Sequence, residues 1–188
     1  MNEALATATV EKDWAKEQLS ALIAHILTTH HDYLKKQLPE IAALFRQAFD
    51  NHKDSSPCDR ILFFHQSFSA LAEELQAHLQ KEEMILFPFI EGYERTAEQR
   101  IPIEPPPFGS VAHPIAMMES DHEEVIQALD RMRDRSGNYT PPMHAGPLGK
   151  AVHSMLKELD ADLRQHIYLE NEILHPRAKQ LEEANRGW

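Results

Sequence analysis

The 188-residue sequence predicts an all-α protein, an up-down-up-down four-helix bundle, on three observations. Leu and Ala dominate its apolar residues, with few Val and only 6 Gly. That composition forms helices; a β-sandwich or barrel would want β-branched residues and many glycine-marked turns. Apolar residues recur at three- and four-residue spacing, the signature of a helix with one buried face. Proline-rich connectors divide the chain into four such stretches, as an antiparallel bundle requires.

Helical periodicity first runs from about Trp14 to Phe49, and NHKDSSPCD then reads as a turn. A second stretch begins near Asp59 and passes Ile90, with a kink expected at Pro88. PIEPPPFG (102–109) is a rigid connector to a third stretch, Val111 to Arg135. SGNYTPPMHAGP (136–147) leads to the fourth, Leu148 to about Glu183. The expected organisation is a flexible segment over residues 1–13 and one bundle domain over 14–184.

Polar residues interrupt every apolar ladder. The second stretch reads Phe68, Leu71, Leu75, His78, Glu82, Ile85, Phe89, and the third reads Ile115, Met118, His122, Val125, Leu129, Met132. The fourth reads Val152, Leu156, Leu159, Leu163, His166, Glu170, Ile173. The first gives Leu27, His31, Leu34, Leu38, Ile41, Phe45, but its neighbour His30 borders another apolar edge, and periodicity does not choose between them.

These interruptions repeat. The segment from His78 to Pro88 and that from His166 to Pro176 both read H-x-x-x-E-x-x-I-L-x-P. His31-Asp32 and His122-Glu123 precede them by similar intervals. Each half is therefore a helical hairpin supplying one His and then a His-x-x-x-Glu, and a pseudo-two-fold axis would bring four His and two Glu into one core. Residues four apart share a helix face, with β-carbons about 6 Å apart. A buried, unpaired carboxylate is costly, so two facing each other require neutralisation. Two divalent ions provide it if both Glu bridge and each ion takes two imidazoles, with room left for a solvent bridge and an exogenous ligand. Imidazole with carboxylate suits Fe, Mn or Zn, and bundle cores house di-iron centres. A metal-free His–Glu hydrogen-bond network is the plainer alternative. A mononuclear zinc site would use four ligands rather than six.

The remaining residues read more simply. His25 is off the stripe and expected in solvent. His65 and His153 suit packing or surface positions, and His113 and His144 lie beside prolines in connectors. His175 takes the place of Phe87 in the repeat and is expected to pack beside the site, while His52 suits a surface loop. Tyr33 and Tyr168 adjoin candidate ligands as donors behind them or as packing. Met117, Met118 and Met155 are expected to fill core gaps. Lys81 and Glu83 around Glu82, and the pair Glu182-Glu183, read as solvated charge.

Several function classes are set aside. A net charge of −11 and a pI near 5.5 oppose nucleic-acid binding. A single cysteine, Cys58, forms no internal disulfide or cysteine-rich metal site and suits a reducing compartment. No apolar run approaches membrane-spanning length, and the first residues do not read as a signal peptide. A cytoplasmic location is expected, without membrane or nucleic-acid partners. The 12 histidines are the anomaly that the metal site explains.

LIAHILTTHHDYLKKQLPEI, HLQKEEMILFPFI, MMESDHEEV and HIYLENEILHPRA resemble the hemerythrin-like domain of the Repair of Iron Centres family, the ScdA- and YtfE-type di-iron proteins, over about Trp14 to Ala178. The family pattern places its first ligand eight residues before the proline of LP, which selects His31. The resemblance implies two non-haem irons held by His31, His78, His122 and His166, bridged by Glu82 and Glu170 and an oxo or hydroxo group. It further implies a part in restoring iron–sulfur clusters damaged by nitric oxide or oxidants. Partners would be damaged or apo iron–sulfur proteins, nitric oxide or dioxygen, and an external electron donor. Typical members carry an N-terminal domain with paired cysteines, which is not expected here, and LHPRA stands where LFPRA is usual. The alternatives are a hemerythrin-type carrier or sensor of oxygen or nitric oxide, a nitric oxide or peroxide reductase, and a metal-free structural bundle.

Overall fold

The computed structural model describes residues 12–50, 59–99, 109–143 and 145–185. Residues 1–11, His52, Cys58, most of the 102–109 connector and His144 lie outside these. Four long helices form the described chain. The first, α1, comprises Leu19–Ile26, a π turn at Leu27–His31 and Asp32–Asp50. The second, α2, comprises Asp59–Lys81, a π turn at Glu82–Leu86 and Phe87–Gln99. Helix α3 is Ala112–Ser136, and α4 comprises Pro147–Tyr168, a π turn at Leu169–Leu174 and His175–Asn185.

The core divides into two apolar clusters. Leu34 to Phe45 of α1, Phe64 to Leu79 of α2, Val125 to Met132 of α3 and Val152 to Ile167 of α4 supply the first. Leu19 to Ile26, Leu86 to Tyr93, Val111 to Met118 and Leu169 to Ala178 supply the second. Along successive helices the clusters come in alternating order, which is the up-down-up-down topology expected from the sequence. The interrupting polar residues fall where each helix passes from one cluster to the other. They form a polar layer closed at both ends by apolar packing.

The helix ends follow the chain's own chemistry. Gly146 precedes Pro147 at the start of α4, where the missing N–H costs nothing. Gly137 ends α3 at φ 60°, and Asn138 N–H returns to the Arg133 carbonyl at 2.8 Å, a left-handed close that glycine accepts readily. Helix α1 begins at Leu19 rather than Trp14. The Glu94 carboxylate accepts from Leu19 N–H at 2.6 Å and Ser20 N–H at 2.9 Å, while Arg177 donates to the Trp14 and Glu17 carbonyls. Residues 14–17 are thus held as a turn against α4. Glu182 does for α3 what Glu94 does for α1, accepting from Val111 N–H at 3.0 Å and Ser110 Oγ–H at 2.6 Å. The repeat seen in the ligand motifs extends to these two caps.

The irregularity expected at Pro88 is a π turn just before it, with α2 continuing through the proline. A π turn carries an extra residue, so the buried stripe advances by one. Leu86 and Ile90 are buried where the uninterrupted ladder called for Ile85 and Phe89, and Ile85 is 44% exposed. Leu174 likewise replaces Ile173. In α1 the π turn lets both His30 and His31 face inward.

Candidate metal centre

His31, His78, Glu82, His122, His166 and Glu170 lie together in the polar layer and are all buried, both carboxylates completely. They form two overlapping groups, His31–Glu82–His166–Glu170 and His78–Glu82–His122–Glu170, in each of which one ligand-type atom per residue lies within 4.8 Å of the others. Both glutamates belong to both groups. His30 is buried but outside them, with Nδ1–H donating to Asp162 Oδ1 at 2.8 Å.

The Nε2 atoms point into the layer. His31 Nε2 stands 3.2 Å from His166 Nε2, and His78 Nε2 3.0 Å from His122 Nε2. Glu82 oxygens approach His78 Nε2 at 3.2 Å and His31 Nε2 at 3.4 Å; Glu170 approaches both His122 and His166 at 3.1 Å. Three of the four outer nitrogens are occupied. His31 Nδ1–H donates to Glu83 at 2.8 Å, His122 Nδ1–H to Asn171 Oδ1 at 2.8 Å and His78 Nδ1–H to Asp121 at 3.3 Å. A neutral imidazole that gives its Nδ1 proton outward presents a lone pair inward. Both Glu82 oxygens and Glu170 Oε2 are buried without an aligned hydrogen bond. Orphaned carboxylate oxygens beside converging imidazole lone pairs fit metal cations and are costly without them.

The electrostatics carry the same sign. Burial pushes both the Glu82 and Glu170 carboxyls up, and Glu170 repels Glu82, yet the surrounding imidazoles hold both below the ordinary range. Burial opposes charge on His78, but Glu82, Glu170 and Asp121 raise it to about 9. His31 and His122 are raised against burial by the same carboxylates. The metal-free layer therefore retains protons that an arriving cation would displace.

The surroundings depart from expectation in places. Glu83 is not solvated charge: it accepts from His31 and pairs with Lys35 at 2.8 Å. Lys81 pairs with Asp121 at 2.7 Å. Glu182 is buried, accepting also from Tyr93 Oη–H at 3.2 Å. Met117 and Tyr168 are exposed, so neither fills the core nor stands behind a ligand, while Met118 is buried and Met155 partly so. Tyr33 packs against the core. His25 is half-buried and stacks on Trp14 at 4.4 Å. His113 lies in the first turn of α3. His65 and His153 pack against Phe45 and Phe64. His175 lies beside the layer, parallel to the His122 ring at 6.0 Å. Glu83, Asp121 and Asn171 escaped the ladder because each adjoins a ligand in sequence yet reaches a ligand on a different helix.

One groove of about 280 Å³ reaches the layer, lined by His122, Glu123, Ile126, Gln127, Ile167 and Asn171.

A helical bundle whose buried centre is built from converging imidazoles and carboxylates defines a metal-binding protein of the hemerythrin kind. The chain belongs to the hemerythrin HHE cation-binding domain family, whose profile matches residues 22–178. It is 37% identical over 175 residues to the iron–sulfur cluster repair proteins YtfE of Salmonella newport, Salmonella heidelberg and Salmonella agona, covering 93% of this chain and 72% of each of theirs. The chain is thus a homologue of those repair proteins, and its buried His/Glu groups are suited to iron.

Proposed function

We propose that the chain binds two irons, one in each four-residue group, and acts in the repair of iron–sulfur clusters damaged by oxidants or nitric oxide. The observation that carries this reading is that Glu82 and Glu170 each belong to both groups, as carboxylates serving two ions together must. Homology to proteins named for iron–sulfur cluster repair supplies the direction of the function.

Each side chain has a part. His31 and His166 would hold one ion and His78 and His122 the other, with the two carboxylates, common to both groups, neutralising their charge. Glu83, Asp121 and Asn171 fix three of the imidazoles with Nε2 inward. The apolar clusters close the layer at both ends along the bundle, leaving the side groove as its opening. Iron supplies an ion that alternates between ferrous and ferric states and takes nitric oxide or dioxygen as a ligand. The groove beside His122 is the approach for such small molecules.

In repair, iron is cargo and the acceptor is an iron–sulfur protein that has lost part of its cluster. The test loads the chain with ferrous iron, mixes it anaerobically with a damaged cluster enzyme and a sulfide source, and follows recovery of the enzyme's activity. Recovery should exceed that from the same amount of free iron and vanish with the metal-free chain. Recovery equal to that from free iron would overturn the repair function.

A further inference from the structure

The two groups contain the same residue types and share both glutamates, but the outer nitrogens of their histidines are unequally supported. In the His78–His122 group both have acceptors, Asp121 and Asn171. In the other group His31 has Glu83, whereas His166 Nδ1 is fully buried with no hydrogen-bond partner.

The repeat explains the difference. Asp121, immediately before His122, takes the Nδ1–H of His78 from the neighbouring helix. His30, immediately before His31, occupies the equivalent place against His166. There its ring lies parallel to His166 with centroids 5.3 Å apart, and its own Nδ1–H goes to Asp162. An imidazole thus stands where the other half has a carboxylate. A ligating histidine that donates its second N–H is better oriented and more basic, and removing such a partner costs about 10–100-fold in metal affinity.

We propose that the two metal positions differ by construction. The ion between His31 and His166 is the more weakly held and is given up first, and His30 is the positioning residue that sets the difference. The proposal rests on the two-iron reading above.

The test is an equilibrium titration of the anaerobically iron-loaded full chain with a chromophoric ferrous chelator, a measurement independent of access. The expected result is two release steps about 10–100-fold apart in affinity. His30→Asp, which restores a carboxylate beside His166, should tighten the weaker step and nearly close the gap. Asp121→Ala should close it from the other side, by weakening the tighter step. Helix content and melting of the metal-free variants are recorded alongside; if His30→Asp does not fold, Asp121→Ala decides. Two ions released with one affinity, or a gap that the folded variants leave unchanged, would overturn the proposal while the two-iron reading stands. Uptake of fewer than two irons would overturn both.

Discussion

Glu82 and Glu170, on α2 and α4, are completely buried and present carboxylate oxygens within 4.8 Å of each other. Two carboxylates so placed repel, and both remain below their ordinary pKa only because four imidazoles surround them. They are the two residues whose removal tests the arrangement most selectively.

Glu82→Ala or Glu170→Ala removes a donor from both groups at once. Iron content should fall several-fold in either variant while far-ultraviolet helicity survives, because the apolar clusters on both sides of the layer are untouched. Elemental analysis with circular dichroism checks this, and full iron retention in both variants would contradict the bridging assignment.

Glu83→Ala leaves all six proposed ligands in place and deprives His31 of its acceptor. Metal affinity should drop about 10–100-fold, as read by chelator competition. Lys35→Met, which removes only the half-exposed partner of Glu83, should change affinity far less, since exposed ion pairs contribute about 0–1 kcal/mol. Equal losses in the two variants would count against support of His31.

The pH dependence of the metal-free chain follows from its charged layer. His78 is raised from an ordinary 6.5 to about 9, so its contribution to stability is complete below pH 6.5 and lost as pH rises through about 9. Glu82 and Glu170 are lowered from 4.5; their contribution is present above that value and lost as pH falls through their folded values. Metal-free stability should therefore be greatest between about pH 4.5 and 6.5. The His78 contribution alone is on the order of 3 kcal/mol, a decline of roughly 6–12 °C in melting temperature between pH 6.5 and 9. Iron affinity should rise across that window, because binding displaces the same protons. Melting curves with and without chelator at the two pH values check both signs.

Glu182→Ala should destabilise the fold without touching the ligands. Val111 N–H would lose its buried side-chain acceptor and Tyr93 Oη–H its bond to Glu182, at about 1–3 kcal/mol for the buried backbone donor. A melting temperature within 2 °C of the parent would contradict the capping role, on the expectation of about 2–4 °C per kcal/mol.

The bundle and the clustering of the six polar residues were legible because a helix repeats on a fixed period: His78 with Glu82 and His166 with Glu170 had to share a face. Three features were not legible. Each π turn adds a residue that no periodic rule anticipates, so the ladder points Ile85 and Phe89 inward where Leu86 and Ile90 are buried. Glu83 and Glu182 read as solvated charge in the sequence because their partners, His31 and Val111, lie on other helices. Periodicity could not separate His30 from His31, since the α1 π turn brings both inside; the resemblance to a family made that choice.

The most direct test of the account is the iron content of the chain after anaerobic ferrous reconstitution and removal of loosely bound metal. Two irons per chain, reduced several-fold by Glu82→Ala, is the result the shared carboxylates predict. A chain that takes up no iron, and whose melting temperature a chelator leaves unchanged, would contradict it.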